Sequence, residues 1–185
     1  FSSLYKKQQL LHFDNLQEDL EGGRLFGSLM HKILEHCVTK GYHHPFKSQK
    51  IQELIERYVQ FTPLKNQTPR LFEIVTNTFA KPIQNGLCLA DISNKQMHHE
   101  AEFTMRSKDN LELKGFVDLV FIHQQSLYII DYKTHHLPNY NRQTLAKVIQ
   151  HYQYDQQLIL YKQACKHFIE QHKLDIQSIY AHLLF

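Results

Sequence analysis

The residues best placed for chemistry lie in the segment GFVDLVFIHQQSLYIIDYKT, which carries Asp118, Asp131 and Lys133. It reads as two apolar strands joined by a short polar turn at Gln124 and Gln125. A hairpin symmetric about that turn sets Asp118 directly opposite Asp131. Facing carboxylates repel and weaken a sheet, so among Phe116, Val117, Ile129 and Ile130 they either share a proton or hold a cation. Asp131 and Lys133 are two residues apart and emerge on one face of their strand. Carboxylate oxygens are hard ligands suited to Mg²⁺ or Mn²⁺, and a lysine beside such an ion can stabilise charge developing on a phosphate. The blander alternative is a metal-free hairpin in which Lys133 and Lys114 neutralise the two aspartates.

The elements that position this hairpin follow from periodicity. Phe26, Leu29, Met30, Ile33, Leu34 and Cys37 have the spacing of an amphipathic helix over Arg24 to Lys40, and Gly41 stops it. Gly27, His31 and Glu35 form a second column on that helix. Two more helices are expected from about Gln49 to Phe61 and from about Arg70 to Lys81, the second ended by Pro82. Strands follow near Met97 to Arg106, Leu111 to Ile122 and Leu127 to Lys133. Helical spacing returns from about Asn141 to Lys173, with Tyr154, Leu158, Tyr161, Cys165 and Phe168 as its stripe, and a last strand is expected from Ile179 to Phe185.

With 185 residues, a formal charge of +3 and no repeat or low-complexity linker, the chain reads as one domain. Its helical part covers about 1–86, and its sheet core with the later helices covers about 87–185. It shows no secretory leader and no apolar run long enough for a bilayer, which predicts a cytoplasmic protein without a membrane partner. Cys37, Cys88 and Cys165 fall one short of a four-thiolate iron–sulfur cluster or zinc knuckle. The pairs His43–His44, His98–His99 and His135–His136 are expected at the surface or its boundary, since adjacent strand residues point to opposite faces. No GxxxxGK[ST] loop occurs, so ATP hydrolysis has no seat here.

At FSSL, GSLMHKILE, GFVDLVF with DYKT, and YDQQLILYKQA the chain resembles the PD-(D/E)XK nuclease superfamily, in particular RecB-type nuclease domains. The resemblance implies an α/β, restriction-endonuclease-like fold: a mixed central sheet flanked by helices. It implies metal ligation by His31, Asp118, Asp131 and the backbone carbonyl of Tyr132, with Lys133 catalytic and Glu35 orienting His31. The cofactor would be Mg²⁺, with Mn²⁺ able to substitute and Ca²⁺ able to bind without turnover. Gln157 and Tyr161 match the family's Gln-x-x-x-Tyr motif and are expected near DNA or the active site. The family's further acidic residue falls on Glu100 or Glu102, with Glu100 preferred. A symmetric turn between Arg106 and Leu111 sets His99 opposite Asp118, so Glu100 requires a bulge or an asymmetric turn. The implied activity is cleavage of DNA, single-stranded DNA above all, in double-strand break processing. A helicase domain of the same parent chain and other subunits of a recombination complex would be its partners. The rival reading is a catalytically idle DNA-binding or scaffolding module on the same fold.

Overall fold

The computed structural model describes residues 23–106 and 112–185. The FSSL motif and most of the RSKDN loop lie outside them. The order is α1 (Arg24–Thr39), α2 (Ser48–Val59), α3 (Thr68–Ala80), a small hairpin of β1 (Pro82–Gln84) and β2 (Leu87–Cys88), then β3 (Met97–Arg106), β4 (Glu112–His123), β5 (Ser126–Tyr132), α4 (Arg142–His151), α5 (Tyr154–His172) and β6 (Ser178–Leu184). The main sheet runs β3-β4-β5-β6, antiparallel except for the parallel β5–β6 pair. That makes a mixed sheet with helices on both faces.

Local chemistry accounts for the boundaries. Gly41, at φ +62°, ends the α1 turn in a conformation costly for any residue with a Cβ. Pro69 sits in the first turn of α3, and Lys81 is extended before Pro82. The β4–β5 turn holds Gln124 and Gln125 at φ +46° and +57°, the left-handed pair that matches the twist of a two-residue hairpin. Leu119↔Ile130 through His123↔Ser126 keep the expected register.

The sheet separates two cores. On one side α1, α2 and α3 pack Met30, Ile33, Ile51, Ile55, Leu71 and Phe79 against Leu119, Phe121 and Ile130. On the other, Tyr161 and Leu158 of α5 cover Val117, Leu127 and Ile129. Each such side chain, fully buried, contributes about 1.5–3 kcal/mol, so β4 and β5 are fixed from both faces.

Two features went unread in the sequence, and one expectation needs correction. The helical stretch from Asn141 to Lys173 is two helices, because Gln153 turns the chain at φ +56° between α4 and α5; a single left-handed residue leaves no mark on the apolar spacing. The β1–β2 hairpin had no counterpart in the sequence reading, being too short for alternation to show. His43 is buried rather than at the boundary: it is 0% exposed, stacks on Phe79, and approaches the carbonyl oxygens of Ile92 at 3.0 Å and Cys37 at 3.4 Å.

Candidate active site

Strand β3 pairs with β4 one residue away from the symmetric expectation. His99 faces Leu119, Ala101 faces Val117 and Arg106 faces Glu112, which leaves Glu100 across from Asp118. The odd-length connection supplies the asymmetry that Glu100 requires. Both strands also change face there. Met97, Leu119 and Phe121 belong to the core under α1–α3, whereas Ala101, Phe103 and Val117 belong to the core under α5. Regular alternation forbids that switch between residues two apart. Glu100, at φ +46°, is where the backbone absorbs it. The result is a small cleft lined by His31, Glu35, His99, Glu100, Asp118 and Tyr132.

Asp118 therefore does not meet Asp131 as a plain cross-strand pair. Its Oδ2 accepts the backbone N–H of Tyr132 at 2.7 Å, and its Oδ1 lies 3.2 Å from Nδ1 of His31. Burial alone would lower the His31 pKa, but the hydrogen bond and charge of Asp118 outweigh it and raise the value. Helix α1 can deliver this imidazole because Gly27, one turn earlier, lies against Thr134: a Cβ there would sit 2.8 Å from the threonine Oγ1. The Tyr132 ring stands edge-on to His31.

Asp131 sits on the other side of the strand, 3% exposed. Its Oδ2 is 2.6 Å from Lys133 Nζ in an ion pair whose side chains are 5% and 13% exposed. That oxygen is buried and lacks a well-aligned hydrogen bond. Its Oδ1 accepts from the Tyr161 hydroxyl at 3.3 Å; Gln157 Nε2 donates to that hydroxyl at 2.6 Å; Lys133 Nζ donates to Gln157 Oε1 at 2.9 Å. The four side chains close a ring. Burial pushes the Asp131 pKa up, Lys133 pulls it down and the Asp118 charge raises it again, leaving it above the ordinary value.

The ring places Gln157 and Tyr161 inside the site. Tyr161 is 6% exposed with its hydroxyl turned to Asp131, a positioning place rather than a surface one. Glu35 shares the cleft with His31, yet His31 is paired with Asp118; the charge of Glu35 acts instead on His99 and Glu100, whose values are set first by burial. Glu102 is paired with Lys114, which removes it from the cleft. That pair also removes Lys114 as a neutraliser of the aspartates. Sequence reasoning missed His99, whose place needs the true β3–β4 register, and Tyr154, whose ring lies 3.9 Å from Lys133 Nζ. Tyr154 opens the YDQQLILY motif, and that position was the signal available.

Among the described residues no three His, Cys, Asp or Glu side chains already converge as a ligand set. The two carboxylates are instead held by His31, Tyr132, Lys133 and Tyr161. No helix among them is long and apolar enough to cross a membrane.

Known proteins bear on this geometry. The family model for the PD-(D/E)XK nuclease superfamily matches residues 4–184. The chain is 30% identical over 176 residues to the RecBCD enzyme subunit RecB of Chlamydia trachomatis, covering 87% of this chain and 17% of that protein. It is 26% identical to the Chlamydia pneumoniae RecB, covering 92% and 17%, and 26% identical to that of Borreliella burgdorferi, covering 98% and 18%. The chain thus spans less than a fifth of the length of these relatives. With the match running through all four strands of the main sheet and both flanking helix layers, the chain belongs to the PD-(D/E)XK nuclease superfamily.

Proposed function

We propose that this chain is a Mg²⁺-dependent deoxyribonuclease domain, exonucleolytic and endonucleolytic, of a RecB-type helicase-nuclease in double-strand break processing and recombinational repair. The observation that carries the reading is the buried ring of Asp131, Lys133, Gln157 and Tyr161 beside the Asp118–His31 pair. An acid–lysine pair this buried costs desolvation without adding much stability, and perturbed carboxylates in a cleft favour function.

The donor chemistry fits a hard divalent ion. Asp131 Oδ2 is a buried oxygen short of a hydrogen bond, and the Asp118 carboxylate lies within reach of the His31 imidazole. Asp118, Asp131, His31 and the Tyr132 carbonyl would hold it. When bound, Mg²⁺ or Mn²⁺ supplies an activated water and offsets charge on the scissile phosphate.

The remaining roles fall to the chain itself. Lys133, fixed by Asp131 and Gln157, presents its ammonium to a phosphate oxygen. Tyr161 and Gln157 hold that ammonium and the Asp131 carboxylate in one arrangement. Glu100 adds a third carboxylate across from Asp118, and Glu35 adds negative charge behind it. DNA is gripped through phosphates, so binding weakens steeply with salt. The helicase domain of the parent chain and its partner subunits deliver the strand.

The test is cleavage of labelled single-stranded DNA with Mg²⁺, Mn²⁺, Ca²⁺ or chelator, comparing wild type with Asp131→Asn and Lys133→Met. Metal-dependent cutting lost in both variants supports the reading. Metal and DNA binding without cutting in the wild type would assign the idle module instead.

A further inference from the structure

Beyond the ring, Lys133 leads into a group of aromatic side chains that the chemistry above does not use. After β5 the chain passes His135 and Tyr140, forms α4, and turns at Gln153 into α5. That turn sets Tyr152 and Tyr154, one residue to either side of it, nearly parallel, with an interplanar angle of 13° and 5.4 Å between centroids. His135 stacks on Tyr152 at 4.4 Å and 25°, and also bonds the Tyr154 hydroxyl. The exposed Tyr140 donates its hydroxyl to the His135 carbonyl at 3.2 Å. Lys133 Nζ lies over the Tyr154 ring, so the stack abuts the ion pair directly.

Tyr154 is buried and anchors the group, but His135 and Tyr152 are not core. His135, in the loop after β5, and Tyr152, just past the end of α4, are half-buried, and α4 buries none of its residues. The same helix bears Arg142, Lys147 and His151 and not one Asp or Glu. Parallel aromatic faces beside cationic groups, next to a helix free of acidic side chains, suit a strand of unpaired nucleotides: bases stack while phosphates meet the cations.

We propose that His135 and Tyr152, seated on the buried Tyr154, form a platform on which an unpaired base of single-stranded DNA stacks next to the phosphate at Lys133. The inference rests on the DNA-cleaving reading above and assigns the side chains that would tell strands apart: a paired base cannot leave its neighbours to stack here, so the platform selects single strands over duplex.

Fluorescence anisotropy in chelator, where no cutting intervenes, tests it with the whole chain and three probes: labelled dT12, an abasic strand of equal length, and a duplex. Stacking one base predicts that the abasic strand binds between about 5- and 150-fold more weakly than dT12. Tyr152→Ala should bring dT12 down to the abasic level, and Tyr152→Phe should retain the difference. Equal affinity of the wild type for dT12 and abasic strand overturns the platform, as does a Tyr152→Ala loss of the same size for both. Base-dependent binding in a protein that never cuts would sink the nuclease reading and leave the platform standing. Failure to bind any of the three probes would overturn the platform.

Discussion

Replacing Lys133 by Met tests whether the ion pair under the site is held by the fold or holds it. At 2.6 Å, and with an effective dielectric of about 20, the gross attraction between Asp131 and Lys133 is about 6 kcal/mol. Taking both groups from water costs a comparable amount, so the intact pair adds little net stability. Removing only the cation leaves the cost and deletes the return. The Asp131 carboxylate then keeps the Tyr161 hydroxyl, which cannot neutralise it, and the carboxyl must either stay charged and buried or take a proton. Lys133→Met should therefore lower the unfolding free energy by about 3–5 kcal/mol at neutral pH, read as a fall in the urea midpoint at constant slope. Adding Asp131→Asn to the same chain should restore most of that loss, because two neutral groups owe no charge desolvation. A Lys133→Met loss under about 1 kcal/mol, or a double variant no more stable than the single, would refute the reasoning and mean that water already reaches Asp131.

Gly27→Ala should gain the helical preference of alanine, about 1 kcal/mol, but lose more than that against Thr134 Oγ1, while the same change beside Thr134→Ala should be stabilising; urea midpoints of the four chains decide it. The buried His43 has its pKa lowered by burial from an ordinary 6.5, so below about pH 6.5 the unfolded chain takes a proton that the folded chain refuses. Its contribution is complete above that value and falls with pH beneath it, so the stability gap between wild type and His43→Gln should shrink between pH 8 and 5.5; a constant gap would contradict this. Gln124→Gly relieves a left-handed conformation at φ +46° and should raise stability by about 1 kcal/mol in the same assay. Gln125 is the wrong partner for that change, since its side chain bonds Asp175 and Gln177.

How far the sequence revealed the site depended on the range of each signal. The β4–β5 hairpin was legible because its turn is two residues long and its apolar strands allow only one register. The α1 column was legible because a period of 3.6 aligns Gly27 and His31 whatever packs on them. The β3–β4 register stayed open between a symmetric turn and the asymmetric one that Glu100 requires, since a longer connection leaves the pairing to side-chain packing. With it went the change of face at Glu100 and Asp118: alternation assumes a regular strand, and one left-handed residue suspends the rule. Because spacing set Asp118 against Asp131, its pairing with His31 was reached only through the resemblance, and its hydrogen bond from the Tyr132 N–H was not reached at all. The ring through Gln157 and Tyr161 joins residues more than twenty positions apart, which no spacing argument reaches; there the family motif carried what periodicity did not.

The clasp between β5 and β6 governs when the site comes into being. Lys133 N–H donates to the Leu184 carbonyl at 2.7 Å, and Asp131 and Tyr132 lie beside Leu183 and Leu184 in parallel pairing. A parallel neighbour requires a long crossover, here all of α4 and α5, so during synthesis β5 is an open sheet edge until β6 leaves the ribosome. The acidic strand is thus made early and framed late. A translation product cut short before Ser178 would carry both aspartates and the lysine without the strand that frames them, and would expose the apolar run Leu127–Ile130 to other chains.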